Sequence, residues 1–232
     1  MGRIGEIVDV GRSLAAGGVL GVGRREPARL RPLTGSALVD LASADPSRAG
    51  AIDEMLAGAD ARELQARMAA GDLTSVELTG HLLSRALVAD RALNCIIELN
   101  PQAMVEAREA DARRAARESG PLLGIPVTVK DNIETAGGLR TTGGAQILAE
   151  HRAVRPAPLV SALRRSGAVV LGTANLSELA GAVSRKPGYS AVGGLTHNPH
   201  GGAFTPGGSS SGSAAGVAAG LFSTCRYIGS FA

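Results

Sequence analysis

The chain has 232 residues, 44% hydrophobic and 19% charged, a balance that excludes a disordered chain and leaves enough length to bury a sizeable core. Its 24 basic and 21 acidic residues leave a formal net charge of only +3, too weak a bias to indicate a nucleic-acid partner. No apolar run approaches the roughly 20 residues needed to span a bilayer, and Cys95 and Cys225 fit no zinc spacing, so the reading is a reduced, cytoplasmic chain with no membrane segment.

Residues 1 to about 50 are rich in Gly, Arg and Pro without periodicity, and are expected to be a poorly ordered leader or an upstream extension. The folded unit is expected over 51–222. Asp60 to Glu63 forms a capping box that opens a short helix stopping at Gly71. A second box, Thr74 to Glu77, opens a helix with Leu78, Leu82, Leu83 and Ala86 on one face. Asn94 to Leu99 is a predicted strand, and Pro101 stands at the first turn of a long Ala-, Glu- and Arg-rich helix that ends at Gly120. Gly124 to Lys130 reads as a strand, 157–166 as a helix closed by Gly167, Ala168 to Gly172 as a buried strand, and Leu176 to Val183 as a short helix. A Gly/Pro/Asn-rich segment over 184–208 follows, and then a serine–glycine loop running into a small-residue helix over 214–220. Strand–helix alternation with unbroken apolar strands predicts an α/β fold with a mixed, largely parallel sheet flanked by helices. The last ten residues, 223–232, look divergent: no aromatic residue occurs before Tyr189, yet Phe222, Tyr227 and Phe231 fall in the last eleven positions.

The loop Pro206-Gly207-Gly208-Ser209-Ser210-Ser211-Gly212-Ser213 cannot form a packed element, but it can aim backbone N–H groups and hydroxyls into one space. A phosphate-binding loop would carry a lysine after Gly212, where Ser213 and Ala214 stand instead. A nucleotide-binding α/β domain using the loop as an anion cradle is therefore a weaker alternative, as is a plain flexible linker. A catalytic serine needs a base. None of His81, His151, His197 and His200 has a serine-hydrolase context, and the metal reading of His197 and His200 lacks two further ligands. Lys130 closes an apolar strand, where burial can strip its proton near neutral pH and make it a base.

Gly124 to Asn132, Leu171 to Glu178 and Pro206 to Ser213, in that order and spacing, resemble successive landmarks of the amidase signature family. Gly188 to Pro199 resembles its peptide-amidase-like branch more than the amidotransferase component that works on charged tRNA. The likeness runs from about 54 to about 222, the N-terminal half of the family's domain. It implies a Ser–cis-Ser–Lys triad with Lys130 as general base and Ser209 as the middle serine after a cis peptide. Gly207 and Gly208 would relieve crowding around that bond, and Ser210 would support the network or cap the helix. The implied reaction cleaves a carboxamide C–N bond of a small-molecule or peptide amide through an acyl-serine, without metal or organic cofactor. The family's attacking serine falls roughly two dozen residues after the cis-serine, past Ala232, and 222–232 does not resemble its turn. The chain is thus expected to be truncated before its nucleophile and inactive alone, a frameshift or premature-stop product. A non-catalytic fragment is the other alternative.

Overall fold

The computed structural model describes residues 46–181 and 186–222. The leader over 1–45, the predicted helix end at Ala182 and Val183, the tail over 223–232 and Cys225 lie outside the described residues. A short 3-10 turn, Pro46–Arg48, leads into α1 (Ala49–Leu56), which starts inside the stretch expected to be leader.

Both capping boxes are made. The Asp60 side chain accepts the N–H groups of Arg62 and Glu63 while Glu63 accepts the N–H of Asp60 at 2.8 Å, opening α2 (Ala61–Ala70) before Gly71 closes it at φ 84°. Thr74 and Glu77 open α3 (Ser75–Leu93) in the same way. Asn94 then turns left-handed at φ 51°, so the strand predicted from Asn94 begins only at Ile96. β1 is Ile96–Leu99 and α4 is Ala103–Ala115. Pro101 precedes α4 rather than opening it, because Asn100 takes the N–H of Gln102 on its side chain at 3.0 Å and that of Ala103 on its carbonyl. The helix also ends short of Gly120, where Arg117 turns to φ 62°.

β2 (Pro126–Lys130), α5 (Pro158–Arg165) and β3 (Val169–Ala174) complete the centre of the fold. The sheet order is β1-β3-β2, with β3 antiparallel to β1 and parallel to β2, so the architecture is α/β with a mixed sheet. Period-two alternation divides β3 between two cores. Val169 and Leu171 face the larger one, with Leu64, Leu78, Leu82 and Phe222, whereas Val170 joins Val127, Val129, Val160 and Leu163 under α5. Helices thereby cover both faces, which is why all three strands are buried throughout.

Over 176–181, the described part of the predicted helix, no α-helix forms. Leu179 and Ala180 adopt φ 49° and 58° within a 3-10 turn, Glu178–Gly181, because Leu179 gives its N–H to Gly143 across the chain. The Gly/Pro/Asn-rich segment holds a small antiparallel pair, β4 (Tyr189–Ser190) and β5 (Gly194–Leu195), and then α6 (Ser211–Ala218). Asp90, buried near the end of α3, accepts the N–H and the thiol of Cys95 at 2.7 Å each, and burial pushes its carboxyl up to about 6. No described helix is long and apolar enough to cross a membrane.

Candidate active site

Lys130 and Ala174 are register partners at the carboxyl ends of the parallel pair β2 and β3, the edge at which open α/β sheets place ligands. The chain runs on from Ala174 to Asn175, whose carbonyl accepts the N–H of Gly212 at 2.9 Å. A Cβ on Gly212 would overlap the carbonyl of Cys95, so only glycine lets α6 approach the sheet here. That close approach delivers the serine loop to Lys130.

Lys130 is 2% exposed, and its Nζ donates to Ser209 Oγ at 2.7 Å. Burial pushes the amine below its ordinary value, and among the described residues no carboxylate is ion-paired with it to hold the charge. The Gly208–Ser209 peptide is cis. Gly207 turns the loop at φ 72°, and a Cβ on Gly208 would strike Ser177 Oγ. Ser210 holds the N-cap position of α6 without a side-chain capping bond, so of its two expected roles the helix cap is not made. Lys130 and Ser209 are thus brought together, Gly207 and Gly208 form the turn between them and the hairpin, and Ser210 sits at the helix start. His197 is half-buried and His200 exposed in the loop beyond β5.

A cavity of about 270 Å³ opens beside the pair, lined by Ser177, Ala180, Gly181, Pro187, Thr205 and the turn Gly207 to Ser209. None of these side chains is ionisable. Ser177 has no distinguishing signal in the sequence, although it lies in the stretch Leu171 to Glu178. Its N–H donates to the Ser209 carbonyl at 2.9 Å and its Oγ accepts the N–H of Gly188 at 3.0 Å. Asn175, equally inconspicuous in the sequence, is fully buried; its side chain joins the loop after α3 to the hairpin, and its carbonyl holds the helix start. Asp131, next to Lys130 in the chain, accepts the N–H of Thr142 at 3.0 Å and the hydroxyl of the same residue on Oδ2. Gly143 then binds the carbonyl of Asp131, which fixes the turn that receives Leu179 and Val192.

Burial raises the carboxyl of Asp131 to about 6, as it does that of Asp90. A carboxyl that holds its proton more tightly folded than unfolded favours the folded state at low pH. Its stabilisation is lost as pH rises from about 4 through about 6, at a cost of up to about 3 kcal/mol per group. The urea midpoint is therefore expected to fall between pH 5 and pH 7.5. Asp90→Asn should flatten that slope; a midpoint that rises over the interval contradicts the assignment.

A family model described as Amidase matches residues 77–225. A glutamyl-tRNA(Gln) amidotransferase component from Roseiflexus castenholzii is 42% identical over 164 residues, covering 70% of this chain and 32% of the relative. Its counterpart from Pseudomonas savastanoi is 44% identical over 161 residues, again 32% of its length. Among solved structures, native peptide amidase from Stenotrophomonas maltophilia superposes with a TM-score of 0.67 at 47% identity, over 70% of this chain and 34% of that one. An amidase family protein from Bacillus anthracis gives a TM-score of 0.76 at 35% identity, over 86% and 42%. The chain spans about a third of the length of the curated relatives it matches.

Proposed function

The chain belongs to the amidase family, and from that premise we propose that it carries the proton-transfer half of a carboxamide hydrolase of the peptide-amidase type. The family and its relatives support cleavage of amide C–N bonds in general. The finer reading rests on one observation: a buried lysine, its pKa lowered by burial, with its Nζ 2.7 Å from Ser209 Oγ.

In this reading the neutral Lys130 amine draws the proton from Ser209, and Ser209 draws one from an attacking serine as that serine meets the amide carbonyl. The tetrahedral intermediate collapses, Lys130 returns the proton through Ser209 to the leaving nitrogen, and water releases the acyl group by the reverse relay. A small-molecule or peptide amide is the proposed substrate, in the cytoplasm, with its neutral portion against the uncharged cavity wall. The described site offers Ser177, Ser209 and Ser210, none of which stands where the family resemblance puts the attacking serine. The 232 residues alone are accordingly proposed to hydrolyse amides no faster than background. The anion-cradle alternative is weakened because the N–H of Gly212 is already bonded to Asn175.

The test is a chimera in which residues 54–222 replace the matching segment of the Stenotrophomonas peptide amidase. Ammonia release from a peptide amide is expected from the chimera and not from the 232-residue chain alone. A folded but inactive chimera, or amidase activity of the chain alone that survives Ser209→Ala, sinks the reading.

A further inference from the structure

The Lys130–Ser209 contact has the geometry of a two-residue nucleophile, and that use needs no third serine. We propose that Ser209 is itself an acyl acceptor for activated carboxylic esters, with Lys130 taking its proton. This goes beyond the relay role, in which Ser209 only passes a proton on.

A serine hydroxyl is a poor nucleophile until a base stands within hydrogen-bond reach. Lys130 Nζ stands at 2.7 Å, buried and with no carboxylate ion-paired to it among the described residues. A neutral amine keeps a lone pair, so the same contact serves with Ser209 donating. Access comes from the other side. Ser209 lines the cavity of about 270 Å³ while Lys130 does not, so an acyl donor entering there reaches Ser209 before the amine behind it. Lys130 and Lys186 are the only lysines in the sequence, which leaves few competing amines.

Ser177 supplies the complementary group. Its Oγ already accepts the N–H of Gly188, and among the described residues its hydroxyl makes no donated hydrogen bond. It lines the same cavity as Ser209, where that O–H can meet the oxygen of an acyl group under attack.

The step balances without a further reactant. Ser209 Oγ bonds to the ester carbonyl carbon, the bond from that carbon to the aryl oxygen breaks, the proton passes to Lys130 Nζ, and the aryl oxide leaves as its anion. Amides, whose leaving nitrogen must be protonated in place, are not turned over by this pair.

The full 232-residue chain is to be mixed with 4-nitrophenyl acetate, 4-nitrophenolate followed by absorbance and the acetyl group located by peptide mass spectrometry. A single fast phase of about one equivalent is expected, with the acetyl group on Ser209. Ser209→Ala should abolish the phase, Lys130→Met should slow it at least about tenfold, and Ser177→Ala should slow it without moving the label. Unfolding in urea should remove the selectivity for Ser209, which separates geometry from intrinsic reactivity even where a variant folds poorly. Acetylation on Lys130, on Ser210 or spread over surface groups overturns the proposal, as does Ser209 labelling that persists unchanged in urea. An active chimera together with an unlabelled Ser209 would leave the relay reading standing and this one refuted.

Discussion

Lys130→Met in the active chimera is expected to lower kcat/KM for a peptide amide by about a thousandfold or more, the scale of losing a positioned general base. Methionine keeps most of the buried volume of the lysine stem, so the loss reports the amine and not a cavity. The pH profile adds a second test. The base works only after losing its proton, so the rate should rise with pH through the Lys130 pKa. Burial without a counter-charge lowers that pKa, which puts the rising limb below the range of an ordinary lysine. Ser209→Ala should cost a similar factor, and the double variant little more than either single one, because a relay fails as a unit. Losses that multiply in the double variant, or a Lys130→Met chimera within tenfold of its parent, would remove the amine from the reaction path.

The legible parts of this fold were those governed by nearest neighbours. Both capping boxes, the stops at Gly71 and Gly167 and the buried strands around Val127 and Val170 follow from side chains acting within a turn or two of themselves. The misplacements share one cause. Leu179 abandons the predicted helix because a carbonyl 36 positions earlier in the chain takes its N–H, and α4 starts late because Asn100 captures the turn ahead of it. Lys130 and Ser209 could be singled out because a base and a hydroxyl are distinctive chemical types. Asn175 and Ser177 could not. Their residue types are common in loops, and their importance lies in partners up to 81 positions away. The family resemblance marked the stretch that contains them without saying what they hold.

Asn175 carries the largest expected stability effect. Its Nδ2 donates to the carbonyls of Asn94 at 2.8 Å and Gly194 at 3.2 Å, and its Oδ1 accepts the hydroxyl of Ser190 at 2.7 Å and the N–H of Leu176 at 2.8 Å. The side chain therefore joins the end of α3, the β4–β5 hairpin and the chain leaving β3, at a fully buried point one residue beyond the register partner of Lys130. Asn175→Ala strands several buried polar groups at once, each costing roughly 1–3 kcal/mol when left unpaired. A total loss of about 4 kcal/mol is expected in urea unfolding, a large share of the stability of an ordinary domain. Ser190→Ala, which removes one partner of Asn175 Oδ1 and also the acceptor of the Gly193 N–H, should cost about 2 kcal/mol. Gly193→Ala should resemble the asparagine variant more than the serine one, because a Cβ at that position would lie within 2.7 Å of Oδ1, Cγ and Nδ2 of Asn175 and displace the amide from its partners. If Asn175→Ala unfolds within about 1 kcal/mol of the parent chain, the hub is not what ties the serine loop to the sheet. The backbone bonds from Gly212 to the Asn175 carbonyl and from Ser177 to the Ser209 carbonyl would then have to hold the serine loop in place.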